Sequence, residues 1–374
     1  MIKIGVDGRA LTNDSPAGVT SFLIAALNNL PEYLPDVLFL VFSHKHVSKV
    51  AKQRLKSFNN VKYILEEFAF FSEIGVVWFQ FKLPFILKKY NVDYFWGAGQ
   101  VIPFFLPDKL RTIVTIYDVV FLKYKNTMSL PTLLESIIWI RKSINNSDII
   151  WAISEYTKYE LENAFPERKC KEIFVGLSIE QDCFRKIKVT KNEKNDLLVK
   201  NKVTHPFIIF VGTLEPRKNL QFLLSLMPEL AMKGISLLVI GGRGWKQAKV
   251  ISGILNQPNF PKEKVIFAGY VSLTELIKLY NVADLLVSVS LNEGYGLPLK
   301  EAMSCGCPVI CPDNSAMREV VKDPKMKITG WDRQEWTNNI TRQIFSGQRL
   351  KNSSSGINEW KNISNGFKKR LCEY

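Results

Sequence analysis

The chain has 374 residues, of which 47% are hydrophobic and 23% charged, a composition typical of globular proteins and unlike that of fibrous or disordered chains. This length suits two domains better than one core. The formal net charge of +15 favours an anionic partner, but no RNP, helix-turn-helix or zinc-finger signature accompanies it, which argues against nucleic acid. An anionic nucleotide ligand and an anionic membrane surface both fit the charge, and a generally lysine-rich composition explains it equally well.

The first ten residues do not show the basic leader and long apolar core of a signal peptide. No stretch of 18 residues is free of charge, so no membrane-spanning segment is predicted. Six cysteines without a secretory leader suit a reducing compartment. We therefore expect a cytoplasmic protein, with peripheral contact to the inner face of the cell membrane.

Short apolar runs alternate with helical patterns from the N-terminus onward, which is typical of βαβ units and parallel sheets. Helical patterns cover residues 19–30 and 73–90, and Ser154 is a predicted N-cap of a later helix. The strands predicted in the first half are 2–6, 37–42, 61–65, 93–96 and 112–116.

Residues 186–202 are rich in lysine and asparagine and poor in apolar side chains, which predicts a linker at mid-chain. A second βαβ series follows, with strands at 207–211, 236–240, 265–267, 284–289 and 308–310. The predicted fold class is therefore α/β, with two doubly wound, Rossmann-like domains. Their predicted bounds are 1–185 and 204–352, with a linker at 186–203, a turn at 353–356 and a final helix within 353–374 that packs on the N-terminal domain. Ligands of such sheets bind outside the carboxyl ends of the strands, so a cleft between the domains is expected to serve.

The segment LNEGYGLPLKEAMSCGCP, residues 291–308, joins a strand to a helix through a glycine-containing turn. Pro298 suits the first turn of the helix, and the unpaired N–H groups at such a terminus form an anion site. Gly294 and Gly296 allow a ligand to approach the backbone closely. Many α/β folds contain such a turn. Glu293 and Glu301, with seven residues between them, make the pattern more specific, because one carboxylate can face a sugar and the other a nucleotide.

The segment FVGTLEPRKNL, residues 210–220, ends a strand at Val211 and continues through Gly212 into the adjacent cations Arg217 and Lys218. A departing diphosphate needs charge neutralisation by a divalent metal or by fixed cations. The sequence contains no D-x-D pair, so the two cations are the predicted substitute and no metal site is predicted. The alternative is a solvated turn.

Cys305, Cys307 and Cys311 lie close together in the sequence, but no C-x-x-C pair or nearby histidine completes a zinc site. Buried thiols are therefore preferred to metal ligands. Gly8 and Gly18 bracket a loop after the first strand, for which an ordinary βα turn is as good an interpretation as a ligand loop.

Three segments of the second half, FVGTLEPRKNL, GYVSLTEL (269–276) and VSLNEGYGLPLKEAMSCGCPVI (289–310), together resemble glycosyltransferase family 4. Segments 78–99, 115–124 and 152–161 resemble the bacterial surface-polysaccharide members of that family. The resemblance implies the GT-B fold, with two Rossmann-like domains facing a cleft, and transfer with retention at the anomeric carbon.

The resemblance also implies roles for individual residues. Glu293 would contact the hydroxyls of the donor sugar, and Glu301 would bind the ribose. Arg217 and Lys218 would neutralise the diphosphate. The remaining implied donor-binding residues, in the N-terminal loop, the base pocket and the turns, are Gly18, Gly212, Gly269, Tyr270, Val271, Gly294, Tyr295, Gly296 and Leu297.

Tyr117 and Asp118 are further predicted catalytic residues, and here the sequence departs from the family pattern. The family commonly has His-Asp at this place, and that histidine helps to position the sugar or its phosphate. A tyrosine can still donate a hydrogen bond, but it carries no positive charge near neutral pH.

The predicted function is transfer of a mannose-type hexose from a nucleoside-diphosphate sugar to a glycan or polyprenyl-linked acceptor in surface-polysaccharide biosynthesis. The donor is expected to be a GDP-sugar rather than a UDP-sugar, with no further cofactor. A GT-B-fold sugar-nucleotide epimerase and a non-catalytic nucleotide-sugar-binding module remain as alternatives. The aromatic stretch 68–87, which also contains lysine, suits either a lipid interface or a buried core helix.

Overall fold

The computed structural model of the chain describes residues 1–13, 18–66, 75–125, 128, 130–180, 182–242, 244, 247–350 and 357–373. The chain divides into two compact units. Unit 1 comprises Met1–Phe121, Leu130–Glu180 and Ser355–Tyr374, and unit 2 comprises Leu122–Ser129 and Gln181–Ser354.

Within the described residues, unit 1 contains a seven-stranded parallel sheet of order β3-β2-β1-β4-β5-β6-β7. Its strands are β1 (Ile2–Asp7), β2 (Val37–Ser43), β3 (Val61–Leu65), β4 (Tyr94–Gly97), β5 (Arg111–Ile116), β6 (Ile149–Ala152) and β7 (Ile173–Val175). The central β1 pairs with both β2 and β4, and its Ile4 lies opposite Phe39 and Tyr94. The strand order reverses between β1 and β4, which is where ligands of open α/β sheets bind.

The part of unit 2 that the structure describes contains a six-stranded parallel sheet of order β10-β9-β8-β11-β12-β13. Its strands are β8 (Phe207–Val211), β9 (Ser236–Ile240), β10 (Val265–Gly269), β11 (Leu285–Val287), β12 (Val309–Pro312) and β13 (Lys327–Ile328). Strands β8 and β9 read as near-continuous apolar runs, because helices cover both faces of such sheets. The reversal point of this sheet lies between β8 and β11.

Helices connect these strands in chain order. They are α1 (Gly18–Tyr33), α2 (Lys49–Arg54), α3 (Gly75–Val77), α4 (Leu83–Lys89), α5 (Val120–Lys123), α6 (Leu130–Glu135), α7 (Arg141–Asn146), α8 (Glu155–Ala164), α9 (Lys191–Lys200), α10 (Leu220–Met232), α11 (Ala248–Leu255), α12 (Leu273–Val282), α13 (Leu297–Ser304), α14 (Met317–Val320), α15 (Arg333–Phe345) and α16 (Ile357–Cys372). Two π-helical segments, Trp78–Lys82 and Ser136–Ile140, join α3 to α4 and α6 to α7. Ser154 caps α8 as the sequence predicts, since its hydroxyl accepts from the N–H of Thr157.

The core of unit 1 is built around stacked aromatic side chains. Trp96 of β4 and Trp151 of β6 lie 5.3 Å apart with nearly parallel rings. Phe367 of α16 packs against both of them, and the hydroxyl of Tyr94 donates to the carbonyl of Leu371. The C-terminal helix is therefore part of the core of unit 1.

The predicted linker at 186–203 differs from the structure, which places α9 inside it. Thr190 and Glu193 form a reciprocal capping box that starts this helix, a signal that the lysine-rich composition obscured. Lys200 at its end pairs with Glu275, which holds the helix within unit 2. The turn predicted at 353–356 lies outside the described residues.

Candidate active site

The two central strands of unit 2 bring the two sequence motifs together. Strands β8 and β11 are hydrogen-bonded neighbours, with Ile208 opposite Leu285. Arg217 and Lys218 follow β8, and Glu293 follows β11, so all three lie beyond the carboxyl ends of adjacent parallel strands. This is the reversal point of the sheet, the place where ligands of doubly wound folds bind.

Glu293 is the centre of a dense polar cluster. Its Oε1 accepts from the ammonium of Lys218 at 2.5 Å and from the hydroxyl of Ser290 at 2.6 Å. Its Oε2 accepts from Nη1 of Arg217 at 3.0 Å. The backbone N–H of Glu293 donates to the hydroxyl of Ser315. Glu293 is buried, so these contacts hold its carboxylate in one place.

The pKa of Glu293 is lowered from 4.5 to about 2. Burial alone would raise this pKa, but the nearby charges of Lys218 and Arg217 outweigh it, and hydrogen bonds from Lys218 and Ser290 add to their effect. The carboxylate is therefore ionised throughout the neutral range.

Arg217 is held from three sides. Besides Glu293, it donates to the carboxylate of Glu215 at 2.5 Å and to the carbonyl of Asn292 at 2.6 Å. The side chains of Arg217 and Lys218 are 16% and 13% exposed, so this is a packed cluster and not a solvated turn. Two cations and two carboxylates, those of Glu215 and Glu293, sum to no net charge.

The N-terminus of α13 lies in the same place. Gly296 precedes the helix with a φ of 99°, a conformation that favours glycine, and Pro298 occupies the first turn. Glu293, Gly296 and Pro298 line a recess together with Val211 and Ser290. At this terminus Pro298 has no N–H, and the N–H groups of Leu299 and Lys300 donate to the carbonyl of Gly296.

Glu301 lies one turn into α13 and is buried. Its Oε2 accepts a hydrogen bond from the hydroxyl of Tyr280 at 3.0 Å. Burial, together with the charge of Glu301, raises the pKa of Tyr280 well above its usual value, which keeps the phenol protonated. Contact between Glu301 and a ribose remains a prediction, and any such contact would share the carboxylate with Tyr280.

Three glycines mark the carboxyl ends of β8, β9 and β10. The N–H of Gly212 donates to the carbonyl of Ile240, and the N–H of Gly241 donates to the carbonyl of Gly269. A side chain on Gly241 would collide with the carbonyl of Gly212 at 2.0 Å, so this position requires glycine. The predicted base-pocket residues Gly269 and Val271 flank Tyr270, which is 54% exposed.

Gly241 and four side chains of the site were not predicted from the sequence. A Gly-Gly pair directly after β9 was a signal for Gly241. Nothing in the spacing pointed to the other four, because their partners are distant in the sequence or depend on a loop conformation. They are Glu215, Tyr280, Ser290 and Ser315.

Tyr117, at the end of β5 in unit 1, is tied into its own unit. Its hydroxyl donates to the carbonyl of Ala98 at 2.8 Å, its N–H donates to Gln100, and its ring packs edge-on against Phe22. Burial, together with the charge of Asp7, raises its pKa well above the usual value. The single hydroxyl proton is therefore engaged, and a hydrogen bond from Tyr117 to a donor sugar would have to replace the one to Ala98.

Asp118 and Gly18 lie at the same edge of unit 1. The carboxylate of Asp118 accepts from the N–H of Val120. Gly18 is the first residue of α1, the helix whose Phe22 contacts Tyr117. Asp7, at the end of β1, forms an ion pair with Arg9 that was not predicted from the sequence. The guanidinium of Arg9 packs 3.5 Å above the ring of Phe79.

The clustered cysteines are buried and form no disulfide. Burial raises the pKa of Cys305, Cys307 and Cys311 to about 12, so all three stay protonated thiols. Over the described ranges, no group of three or more His, Cys, Asp or Glu side chains is placed to hold a metal ion. None of the described helices is both long enough and apolar enough to cross a bilayer.

The part of the chain that carries the cluster is similar to a known protein family. Residues 192–338 match the family model of the glycosyl transferases group 1. The O-antigen chain mannosyltransferase B of Escherichia coli is 28% identical over 228 residues, which cover 59% of this chain and 58% of that protein. The O-antigen chain mannosyltransferase RfbU of Salmonella typhimurium is 25% identical over 182 residues, 46% of this chain and 51% of that protein. The chain thus spans little more than half the length of these curated relatives.

Solved structures of low sequence identity share the fold over nearly the whole chain. HepE of Anabaena, solved in complex with UDP-glucose, matches with a TM-score of 0.72 and 14% identity over 100% of both chains. WaaG, a glycosyltransferase involved in lipopolysaccharide biosynthesis, matches with a TM-score of 0.63 and 12% identity over 99% of this chain and 95% of that one.

These similarities and the two parallel-sheet units confirm the predicted α/β architecture of GT-B type. The relatives confirm the resemblance to bacterial surface-polysaccharide glycosyltransferases, whereas placement in family 4 stays a prediction. Residues 192–338 are thus similar to the group 1 glycosyltransferases, and the chain that contains them has the GT-B fold.

Proposed function

We propose that the protein is a retaining glycosyltransferase that moves a mannose-type hexose from a nucleoside-diphosphate sugar to a glycan or polyprenyl-linked acceptor in surface-polysaccharide biosynthesis. The observation that carries this proposal is the convergence of Arg217, Lys218 and Glu293 at the reversal point of the unit 2 sheet. The mannosyltransferase relatives support the sugar and the pathway. We place the activity in the cytoplasm, at the inner face of the cell membrane.

The cluster suits a donor that carries both a diphosphate and a sugar. The exposed faces of the two cations and the N–H of Leu297 at the start of α13 can bind phosphate oxygens, and Glu293 can accept from sugar hydroxyls. Because Glu293 and Glu215 already compensate the cations, the diphosphate meets a fixed and electrically balanced site. Preorganisation of this kind lowers the cost of reorganising charges during the reaction.

In the proposed reaction, the bond between the anomeric carbon and the phosphate oxygen breaks, and the acceptor oxygen bonds to the same face of that carbon. The departing phosphate oxygen takes the acceptor proton. The chain then contributes positioning and electrostatic stabilisation, with Arg217 and Lys218 acting on the diphosphate as charge develops on it. We propose that these cations act without a metal ion and that no other cofactor takes part. The roles proposed for Tyr117 and Asp118 rest on the family resemblance.

A panel of nucleotide sugars tests which nucleotide the donor carries. We propose a GDP-linked sugar, while HepE, with its bound UDP-glucose, makes the UDP series the natural competitor. At a hundredfold excess over the dissociation constant, a bound donor stabilises its domain by about 2.7 kcal/mol, which corresponds to a shift of about 5 °C in melting temperature. The shift is expected with GDP-sugars and should be smaller with UDP- and ADP-sugars.

Transfer is then measured with the donor that binds, using a glycan or a polyprenyl-linked glycan as acceptor. The expected product keeps the anomeric configuration of the donor, as read by NMR. Free epimerised nucleotide sugar would identify an epimerase instead. Donor binding with neither transfer nor hydrolysis would identify a binding module, an outcome made plausible by the engaged hydroxyl of Tyr117. A chain that binds no nucleotide sugar at all would refute the proposal.

A further inference from the structure

Ser315 of unit 2 has a backbone conformation that serine rarely adopts. Its φ is 45°, in the left-handed region that glycine occupies without strain, and the residue is 6% exposed. Strained residues of this kind persist only where their surroundings hold them, and they are concentrated at functional sites. Ser315 follows β12, the neighbour of β11 in the sheet, so it lies at the same edge of the sheet as Glu293.

Ser315 and the residue after it bind both backbone polar groups of Glu293. The hydroxyl oxygen of Ser315 accepts the N–H of Glu293 at 3.1 Å, and the hydroxyl proton is donated to the side-chain oxygen of Asn314 at 2.9 Å. The N–H of Ala316 donates to the carbonyl of Glu293 at 3.3 Å. We name Asn314, Ser315 and Ala316 the serine loop. It fixes the backbone at Glu293 from the side of β12.

The segment that leads to Glu293 is held on two sides. The serine loop holds one side, where Nδ2 of Asn314 donates to the carbonyl of Leu291 at 3.3 Å. On the other side, the N–H of Leu291 donates to the carbonyl of Arg217 at 2.8 Å, and Nη1 of Arg217 donates to the carbonyl of Asn292 at 2.6 Å. Arg217 is one of the cations proposed to bind the diphosphate. The serine loop therefore supports this segment with groups that carry no charge.

The presence of serine at position 315 needs a reason beyond the fold. Glycine would take a φ of 45° without strain, so the requirements of the backbone alone are met better by glycine. Serine adds an oxygen that accepts the N–H of Glu293, and a buried N–H needs such a partner. The strain is thus found where it provides a hydrogen bond to the residue that contacts both cations.

We propose that Ser315 is a positioning residue, whose hydroxyl, held in a strained backbone conformation, fixes the backbone of Glu293 and so the place of its carboxylate against Arg217 and Lys218. The carboxylate lies 3.0 Å from Nη1 of Arg217 and 2.5 Å from the ammonium of Lys218, so a small shift of the backbone alters both contacts. A misplacement of about 1 Å can lower a rate by about 100-fold. The consequence for transfer rests on the function proposed above, whereas the position of the carboxylate does not.

Ser315→Ala and Ser315→Gly separate positioning from stability, because both remove the hydroxyl and only glycine relieves the strain. Thermal melts should show Ser315→Gly about 2–4 °C above Ser315→Ala. Both variants should nevertheless lose about tenfold in kcat, with an affinity for a free nucleoside diphosphate, measured by calorimetry, that is equal or higher. Transfer that follows the melting temperature, near normal in Ser315→Gly and low in Ser315→Ala, would overturn the proposal.

A second measurement needs no transfer. The pKa of Glu293 is about 2 in the folded chain against 4.5 without its partners, so this carboxylate contributes stability at pH 6 that is largely lost at pH 3. In both Ser315 variants this pKa should rise towards 4.5, and the loss in the free energy of unfolding between the two pH values, measured in urea, should become smaller. A loss as large as that of the unsubstituted chain in both variants refutes the positioning of Glu293. If the unsubstituted chain transfers no sugar but this loss still shrinks, the proposed function fails and the positioning is supported.

Lys202→Gly is the matched control. Lys202 is exposed, has a left-handed φ of 52° and precedes β8, whereas the cluster around Glu293 lies beyond the carboxyl end of that strand. The substitution relieves the same kind of strain elsewhere in unit 2, so it should not lower the melting temperature. It should also leave transfer and the loss of stability in acid unchanged. A loss of transfer in Lys202→Gly as large as in Ser315→Gly would contradict the proposal.

Discussion

The ammonium of Lys218 lies 2.5 Å from Oε1 of Glu293, although the two residues are 75 positions apart in the sequence. The carboxylate also accepts from Arg217, so a single anion contacts both cations proposed to meet the diphosphate. Because the cluster is buried, each charge depends on the others far more than it would in water.

Glu293→Gln keeps the shape of the side chain and removes its charge. The cations then lose a counter-charge, so we expect affinity for a free nucleoside diphosphate that is equal or higher. Transfer should fall by about 100-fold or more, because the fixed geometry and the acceptor for sugar hydroxyls are lost. Calorimetry and a transfer assay measure the two effects. Glu263→Gln, an exposed glutamate of the same unit, is the control. Transfer that survives the Glu293 substitution would contradict the role assigned to this carboxylate.

The low pKa of Glu293 predicts a specific loss of stability in acid. The folded carboxyl has a pKa of about 2 against 4.5 without its partners, so the unfolded chain takes up this proton first as the pH falls. The stabilisation is complete above pH 4.5 and is lost between pH 4.5 and about 2. By pH 3 the loss is about 2 kcal/mol.

The measurement is the free energy of unfolding in urea at pH 6 and pH 3, for the unsubstituted chain and for Glu293→Gln. Other groups titrate in both proteins, so the difference between the two pH effects isolates Glu293. We expect the unsubstituted chain to lose about 2 kcal/mol more than the variant. Equal losses would show that the carboxylate is not held by its ion pairs.

Replacing either Arg217 or Lys218 should lower the rate of glycosyl transfer. Arg217→Ala or Lys218→Ala is expected to reduce transfer on the order of 100-fold, similar to the loss of one fixed donor in an oxyanion-type site. Each change also leaves Glu293 with less compensation, so melting temperatures are measured in parallel. Lys233→Ala, which removes a partly exposed lysine paired with Glu229, should leave transfer unchanged. Normal donor turnover by the double variant of Arg217 and Lys218 would exclude them from the diphosphate site.

Tyr117→Phe removes the hydroxyl that donates to the Ala98 carbonyl and keeps the ring against Phe22. We expect a loss of about 1–2 kcal/mol in the free energy of unfolding, since a carbonyl loses its partner. Transfer should fall by less than the roughly 100-fold typical of a group that acts on reacting atoms. Tyr159→Phe, on an exposed tyrosine of unit 1, should change neither quantity. A drop in transfer without a change in stability would instead place the hydroxyl at the donor sugar.

Alanine substitutions at two glycines of unit 2 should change the stability of the protein in opposite directions. Gly296 has a φ of 99°, and an added Cβ would lie 3.2 Å from Leu299, so Gly296→Ala should destabilise the protein by about 1–2 kcal/mol. Gly253 lies inside α11 with nothing within 4 Å of the added Cβ, so Gly253→Ala should stabilise it by up to about 1 kcal/mol. Thermal melts measure both. A stabilising Gly296→Ala would show that the turn before α13 tolerates a side chain and is not strained.

Much of the fold could be predicted because its signals are local. Apolar runs such as Phe207–Val211 are long enough to read as buried strands without any knowledge of their neighbours. The glycine turn before α13 and the pair Arg217-Lys218 are contiguous in sequence, so their chemistry was visible there. At residues 186–203 the lysine-rich composition predicted a linker. The structure has helix α9 there, which starts at the capping box of Thr190 and Glu193.

Local sequence patterns are enough to indicate two parallel-sheet units, the acidic and basic residues of the site, and an aromatic stretch with lysines. The contact between Glu293 and Lys218 could not be predicted in this way, because it requires β8 and β11 to be neighbours in the sheet, and no local pattern indicates the strand order. The hydrogen bond from the hydroxyl of Tyr117 to the carbonyl of Ala98 and the exposure of Phe85 to solvent could not be predicted either. Both outcomes depend on which neighbours are present, and long-range packing sets those neighbours.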